Sequence, residues 1–289
     1  MIQVRNLTKS FRGATVLDGL SLEIGDSDRI ALIGSNGAGK TTLIRCLLGE
    51  YVYAGECLFD GVDARAARQR ILPDLAFVPQ LPPPLKMPVR ELLRFTASAC
   101  GTEERRIAQV ARVLGLDLAT IAERPFVKLS GGQKQKLLIS LALGRDVRLL
   151  IMDEPAANLD PQARRAFLEL LGRRGSGAMI ISSHRLDEIA PLVNRVIELD
   201  GGRVVVDDRV PDSPDFASML ACHVALAADD APLAGHLAEW GFTEVTGRGW
   251  QGVVPAAERW RFLASVSRHA GAVRAIEFSE EEEVRDAAS

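Results

Sequence analysis

No C-x-x-C pair and no dense set of cysteines occurs in this 289-residue sequence. Thiols stand only at Cys46, Cys57, Cys100 and Cys222, which excludes a disulfide framework and fits a reducing compartment with packed, free side chains. An excess of basic residues is also missing. The net charge of −3 gives no bulk electrostatic case for nucleic acid, so no nucleic-acid partner is expected. No run approaches the ~18 apolar residues that span a bilayer, and Leu137 to Leu143 is short and flanked by charge. A basic-then-apolar leader is absent too, because Met1-Ile2-Gln3-Val4-Arg5 enters strand-like sequence at once. These absences predict a soluble chain whose membrane role, if it has one, comes through a partner. What is present is ordinary: 47% hydrophobic and 25% charged residues, enough for one large domain and a small one.

One stretch organises the rest. Gly34-Ser35-Asn36-Gly37-Ala38-Gly39-Lys40-Thr41-Thr42 fits the pattern G-x-x-x-x-G-K-[ST]. Arg29 to Ile33 before it reads as a buried strand, and Thr42 to Leu48 after it has helical spacing that ends at Gly49. Strand, glycine loop and helix are the context this pattern needs. Glycines let successive N–H groups turn inward on a polyphosphate, and the helix N-terminus adds its dipole. Lys40 then reaches the β- and γ-phosphates, and the Thr41 hydroxyl can ligate Mg²⁺.

Residues 1–28 read as a small antiparallel sheet leading into the loop. Phe11 lies before a turn, placed either to stack on a purine base or to fill the sheet's core. Leu75 to Val78 is a buried strand stopped by Pro79-Gln80, and prolines at 79, 82, 83, 84 and 88 make a stiff, helix-free connector. Residues 89–126 are mostly helical. Leu129-Ser130-Gly131-Gly132-Gln133 then opens a further helix with free N–H groups suited to an anion, or simply caps it. Val147 to Met152 reads as a buried parallel strand tipped by Asp153-Glu154. Two adjacent carboxylates there are costly to bury without a cation or substrate. Asp153 is placed to hold Mg²⁺ through water, and Glu154 to orient or deprotonate an attacking water. His184 ends the next strand, Ala178 to Ser183, where α/β sheets place their chemistry, although a lone histidine is often structural.

Together these motifs resemble the nucleotide-binding subunit of an ABC (ATP-binding cassette) transporter, over about residues 1–209. The resemblance implies an α/β P-loop NTPase fold: a RecA-like core, an antiparallel β subdomain and a helical subdomain at about 81–140. It implies ATP hydrolysis, with ATP and Mg²⁺ as cofactors. By resemblance 34–42 is the Walker A motif, Gln80 the Q-loop glutamine, 129–133 the signature motif and 149–153 the Walker B strand. Glu154 is then the catalytic carboxylate, Ala157 to Asp160 the D-loop, His184 the switch histidine and Phe11 the adenine-stacking aromatic. Lys40, Gln80, Glu154 and His184 are thus the catalytic candidates, and Thr41, Gln80 and Asp153 the metal ligands. Phe11, Gly34 to Thr42, Ser130 to Gln133 and Asp160 are the nucleotide contacts. Three positions depart from the commonest pattern: Phe11 replaces a tyrosine, Lys136 stands where arginine is frequent, and Ala157-Asn158 replaces Ser-Gly. The resemblance also implies two partners. A second copy lends Ser130-Gly131-Gly132 to the γ-phosphate in a head-to-tail homodimer. A transmembrane permease subunit holds the chain on the cytoplasmic, inner face of the cell membrane.

Val210 to Asp215 is a proline-punctuated linker, placing a boundary at 210–218. Residues 219–289 read β-α-β-β-α-β, which predicts an α+β ferredoxin-like accessory module for dimerisation or regulation. Cys222-His223 invites a metal reading, but adjacent strand residues point to opposite faces and form no recognised ligand set. Glu280 to Glu283 reads as a solvated tail. A cassette with such a module resembles ABC exporters, including the ATPase of the transporter that serves nitrous oxide reductase copper-site maturation. Soluble ABC proteins are the rival class. Repair-type members carry a long coiled coil between Walker A and signature, whereas about ninety residues without sustained heptads separate them here. Translation-type members usually carry two cassettes. A soluble iron–sulfur assembly factor is a third reading, on which the proline-rich stretch 82–88 does not bear.

Overall fold

The computed structural model describes residues 1–66, 68–175, 177–183, 186–209, 219–245, 248–255 and 259–280. Contacts divide the chain into two units, Met1–His184 with Pro191–Arg209 and Arg185–Ala190 with Val210–Ser289. The expected linker at 210–218, the acidic residues 281–283 and His184 lie outside the described residues.

The first unit begins with β1 (Ile2–Phe11) and β2 (Ala14–Ile24), joined at Arg12-Gly13, both with positive φ. Next come β3 (Arg29–Ile33), α1 (Lys40–Leu47), β4 (Ala54–Phe59), β5 (Val62–Asp63), α2 (Arg68–Ile71) and β6 (Leu75–Val78). A helical region follows: α3 (Val89–Cys100), α4 (Glu104–Val113), α5 (Leu118–Ile121) and α6 (Gly131–Leu143). Then come β7 (Leu149–Asp153), α7 (Pro161–Gly172), β8 (Ala178–Ser182), α8 (Leu186–Ile189, in the second unit), β9 (Arg195–Asp200) and β10 (Arg203–Arg209).

Two sheets result. One is antiparallel, in the order β2-β1-β4-β5; the other runs β10-β9-β3-β8-β7-β6 and is parallel except at β10. Every residue of β7 and β8 is buried, as strands covered on both faces require. Helix α1 lies in a core shared by both sheets: Leu43, Ile44 and Leu47 cluster with Ile2 and Val4 on one side and Ile151 and Ile180 on the other. Each such side chain contributes roughly 1.5–3 kcal/mol on burial, so the phosphate-loop helix is held by packing rather than by propensity. Cys46 and Cys57 are sealed in this core, where burial pushes their thiols up to about 11 and about 12.

The parallel arrangement decides where the chemistry sits. Strands β3, β7 and β8 end on one edge, with Asp153 registered against Ser182 and Ser182 against Leu32. That edge is the crevice beyond the carboxyl ends of the strands, the usual ligand position in α/β sheets.

The second unit also contains β11 (Met219–Leu226), α9 (Ala231–Glu239), β12 (Thr243–Val245), β13 (Gly249–Pro255), α10 (Arg259–Val266) and β14 (Val273–Glu280). Its sheet is antiparallel, in the order β12-β13-β11-β14, which is the order of a split βαβ sheet. The Phe242 and Phe262 rings stack in its core with centroids 4.9 Å apart. Gly252 is required beneath them, because a Cβ there would lie 2.4 Å from the Phe242 ring. Cys222 faces this core with its thiol pushed up to about 12, while His223 sits opposite Gln251 and Glu277 in the sheet. Among the described residues, no group of three His, Cys, Asp or Glu side chains could hold a metal ion, and no helix is long and apolar enough to cross a membrane.

Candidate functional site

The loop between β3 and α1 takes conformations that favour glycine. Gly34, Gly37 and Gly39 have φ of 141°, 87° and 107°. At Gly34 a Cβ would fall 2.2 Å from the Leu199 carbonyl oxygen, so no other residue fits without moving the backbone. Gly39 precedes α1, and no side chain caps the helix, so its first N–H groups remain available to an anion. Lys40 folds back over the loop, its Nζ donating to the carbonyls of Gly34 (2.7 Å) and Ser35 (3.0 Å). Burial lowers the pKa of this ammonium, and the charges of Glu154 and Asp153 partly offset the loss.

The carboxylate pair stands at the tip of β7. Asp153 is 2% exposed and accepts from two hydroxyls: Thr41 Oγ1 at 2.8 Å on Oδ2 and Ser182 Oγ at 2.6 Å on Oδ1. Ser182 Oγ also accepts from the Glu154 amide at 3.0 Å, and the Ser182 carbonyl accepts from the same amide at 3.2 Å. Glu154 needs that grip. Its φ of +49° is left-handed, a conformation that costs a residue with a Cβ about 1–3 kcal/mol and persists only where neighbours impose it.

Lys40, Thr41, Gln80, Asp153 and Glu154 line one cleft of about 230 Å³, together with Val16, Asn36, Gly37, Gly39 and Thr42. Three segments distant in sequence therefore bring a cation, a hydroxyl, an amide and two carboxylates to a glycine loop. That set can bind a polyphosphate and present a base to it. A wider hollow of about 790 Å³ lies at the amino ends of the strands, among Arg29, Asp146 and Arg174. Its guanidiniums are engaged by carbonyls, Arg29 Nη2 with Leu171 at 2.8 Å and Arg174 Nη2 with Val147 at 2.5 Å.

Other predicted contacts lie apart from the cleft lining. Ser130 and Gln133 form a reciprocal cap on α6: the Gln133 amide donates to Ser130 Oγ (3.2 Å) and the Ser130 amide to Gln133 Oε1 (3.1 Å). Ser130 and Gly131 are exposed, and a Cβ at Gly132 would come 3.3 Å from the Asn158 carbonyl. Asp160 caps α7 by accepting from the Ala163 amide at 2.9 Å. Its other oxygen pairs with Lys136 at 2.7 Å, which holds the carboxyl below the usual carboxylate range. Phe11, at the end of β1, is partly exposed, edge-on to Tyr51 and under the Lys9 ammonium.

Ser182 and Val16 belong to the site without having been predicted. Ser182 carried one signal: it is the polar residue ending the otherwise apolar run Ala178 to Ile181.

Known proteins resemble most of this chain. The ABC transporter family profile matches residues 17–157. The sulfate/thiosulfate import ATP-binding protein CysA of Bradyrhizobium diazoefficiens is 37% identical over 216 residues, 70% of this chain and 62% of that protein. The chain therefore spans less than two thirds of this relative's length. The aliphatic sulfonates import ATP-binding protein SsuB 1 of Nocardia farcinica is 31% identical, covering 79% of this chain and 94% of that one. The Nod factor export ATP-binding protein I of Cupriavidus metallidurans is 33% identical, covering 78% and 75%. A solved ATP-binding subunit of an ABC transporter superposes with a TM-score of 0.67 at 27% identity, covering 73% of this chain and 91% of that one. With its glycine loop, its acid pair and these relatives, the chain belongs to the ATP-binding subunits of ABC transporters.

Proposed function

We propose that the cleft binds ATP with its phosphates in the 34–42 loop, and that its hydrolysis powers a transporter whose membrane-spanning part is another chain. The convergence of Lys40, Thr41, Gln80, Asp153 and Glu154 on one cleft carries this reading. Lys40 and the α1 N-terminus bind the β- and γ-phosphates. Glu154, fixed by Ser182 at the phosphate end of the cleft, orients the attacking water and takes its proton. His184 has the switch-histidine role only by family resemblance.

The donor set also fits Mg²⁺. Thr41, Asp153 and Gln80 offer a hydroxyl, a carboxylate and an amide, all hard oxygens, which is the ligand class that Mg²⁺ prefers. Bound there with nucleotide, the ion supplies charge to stabilise the phosphoryl oxygens.

Two partners follow. Ser130 and Gly131 are exposed and do not line their own cleft, so a second copy's signature completes each site in a head-to-tail homodimer. Leu81, directly after cleft-lining Gln80, is 81% exposed, and Phe95 on α3 is 63% exposed. Large apolar side chains left in water, one of them next in sequence to the γ-phosphate sensor, suit a permease contact at the cytoplasmic membrane face. The relatives' names cite sulfate or thiosulfate, aliphatic sulfonates and a Nod factor, in import and in export. Cargo and direction therefore belong to the permease.

Glu154→Gln tests the assignment. ATP binding stays at the parent level, turnover falls by at least about 100-fold, and ATP with Mg²⁺ traps a dimer visible by size-exclusion chromatography. Turnover at the parent rate removes Glu154 as the base.

A further inference from the structure

Gln135, on α6, has no task in the mechanism above. Its side chain is 1% exposed, on a helix whose following residues Leu137, Leu138 and Ile139 are core. Nε2 donates to the Pro155 carbonyl at 2.9 Å. Oε1 is equally buried and accepts no hydrogen bond among the described residues. Burying an amide with half its capacity unmet is costly, and a leucine would fill similar space without that cost. Packing does not account for glutamine here.

Its partner does. Pro155 follows Glu154, whose left-handed backbone is gripped on its amino side by Ser182. The Gln135 amide fixes the carboxyl side. The next residue, Lys136, pairs with Asp160 at the far end of the same loop. Two adjacent residues of α6 thus fasten both ends of the 154–160 segment to the helix that Ser130 caps.

We propose that Gln135 is a positioning residue for Glu154: by holding the Pro155 carbonyl, it aims the carboxylate according to where α6 sits. This rests on the reading of Glu154 as base and of Ser130-Gly131-Gly132 as a contact to a second copy's ATP. On that reading, α6 touches one ATP with its N-terminus while Gln135 sets the carboxylate serving the other. Each copy then carries a rigid link between two active sites.

The test uses the full chain, with ATP hydrolysis and nucleotide binding measured separately. Gln135→Leu unfolds at the parent temperature or above, keeps KM and ATP Kd within about threefold, and loses kcat by about tenfold or more. Gln135→Glu gives the second readout. Its carboxylate cannot donate to a carbonyl, but its protonated form can, and burial raises the pKa at which it forms. The variant-to-parent kcat ratio therefore climbs as pH falls from about 8 to about 6 while the ratios of KM and ATP Kd stay flat, whereas general damage from an ionised buried carboxylate would move all three. Should Gln135→Leu fail to fold, these ratios alone decide. Parental kcat in Gln135→Leu, or in Gln135→Glu a kcat ratio that is flat or that moves together with KM and Kd, overturns the proposal. Glu154→Gln is run in parallel: if it is inactive while Gln135→Leu is parental, only the positioning role falls, and if it turns over ATP normally the base assignment falls as well.

Discussion

Ser182 shows how much one hydroxyl does at this site. It donates to Asp153 and accepts from the Glu154 amide, so it fixes both members of the acid pair. Ser182→Ala keeps the strand and removes both contacts, leaving a buried carboxylate oxygen without a donor. Loss of a buried hydrogen bond to a charged group costs about 1.5–3 kcal/mol, to be read as a lower denaturation midpoint at unchanged slope. ATP turnover falls with it; an unchanged midpoint and rate would show that the hydroxyl is dispensable. Lys40, Thr41, Asp153 and Glu154 were legible in the sequence because each sits at fixed spacing from a glycine or at a strand tip. Ser182 was not, because its role comes from the register of β7 on β8, a pairing between residues far apart in the chain. Asp160 is a different case. The family resemblance, not the residue itself, implied a nucleotide contact there, and its carboxylate is engaged by Lys136 and the α7 N-terminus.

Strands and helices flanking the motifs could be read from their apolar spacing, since one covered face or two leave different patterns. The contacts of turns with other elements could not. Asp200-Gly201-Gly202 reads as a hairpin turn and nothing more, yet this turn buttresses the phosphate loop. The Gly202 amide donates to the Ala38 carbonyl at 3.2 Å, and its carbonyl accepts from the Asp18 amide at 3.1 Å. A Cβ at Gly202 would meet the Val16 carbonyl oxygen at 2.3 Å, with φ at +79°. Gly202→Val therefore has to push β2 and the loop apart. We expect a loss of about 1–3 kcal/mol in stability and weaker ATP binding, measured by thermal unfolding and nucleotide titration. Parental affinity would show that the loop keeps its shape without the hairpin.

At the scale of the whole molecule, the proposed division of each site between two copies makes a prediction that no single chain can. Ser130→Arg spoils only the signature a copy lends, and Glu154→Gln only the site it owns. Each variant alone is inactive. In a mixed dimer, the Ser130→Arg copy's own nucleotide site meets an intact partner signature, so one site of two is whole. Equal mixing restores up to about a quarter of parental turnover if the two chains pair at random in a symmetric dimer. No recovery after mixing and exchange would argue against sites completed in trans.

The thiols sealed in the two cores bear on how the proposed dimer can be studied. Cys46, Cys57 and Cys222 are buried with their thiols pushed up to between about 11 and about 12. At neutral pH such groups hold less than about one thiolate in a thousand, and the thiolate is the form that alkylates and oxidises. Only Cys100 is partly open to solvent. Replacing that one residue leaves a background nearly inert to air and to maleimide, in which a single cysteine placed on the exposed N-terminus of α6 would report its distance to the other copy's phosphate loop.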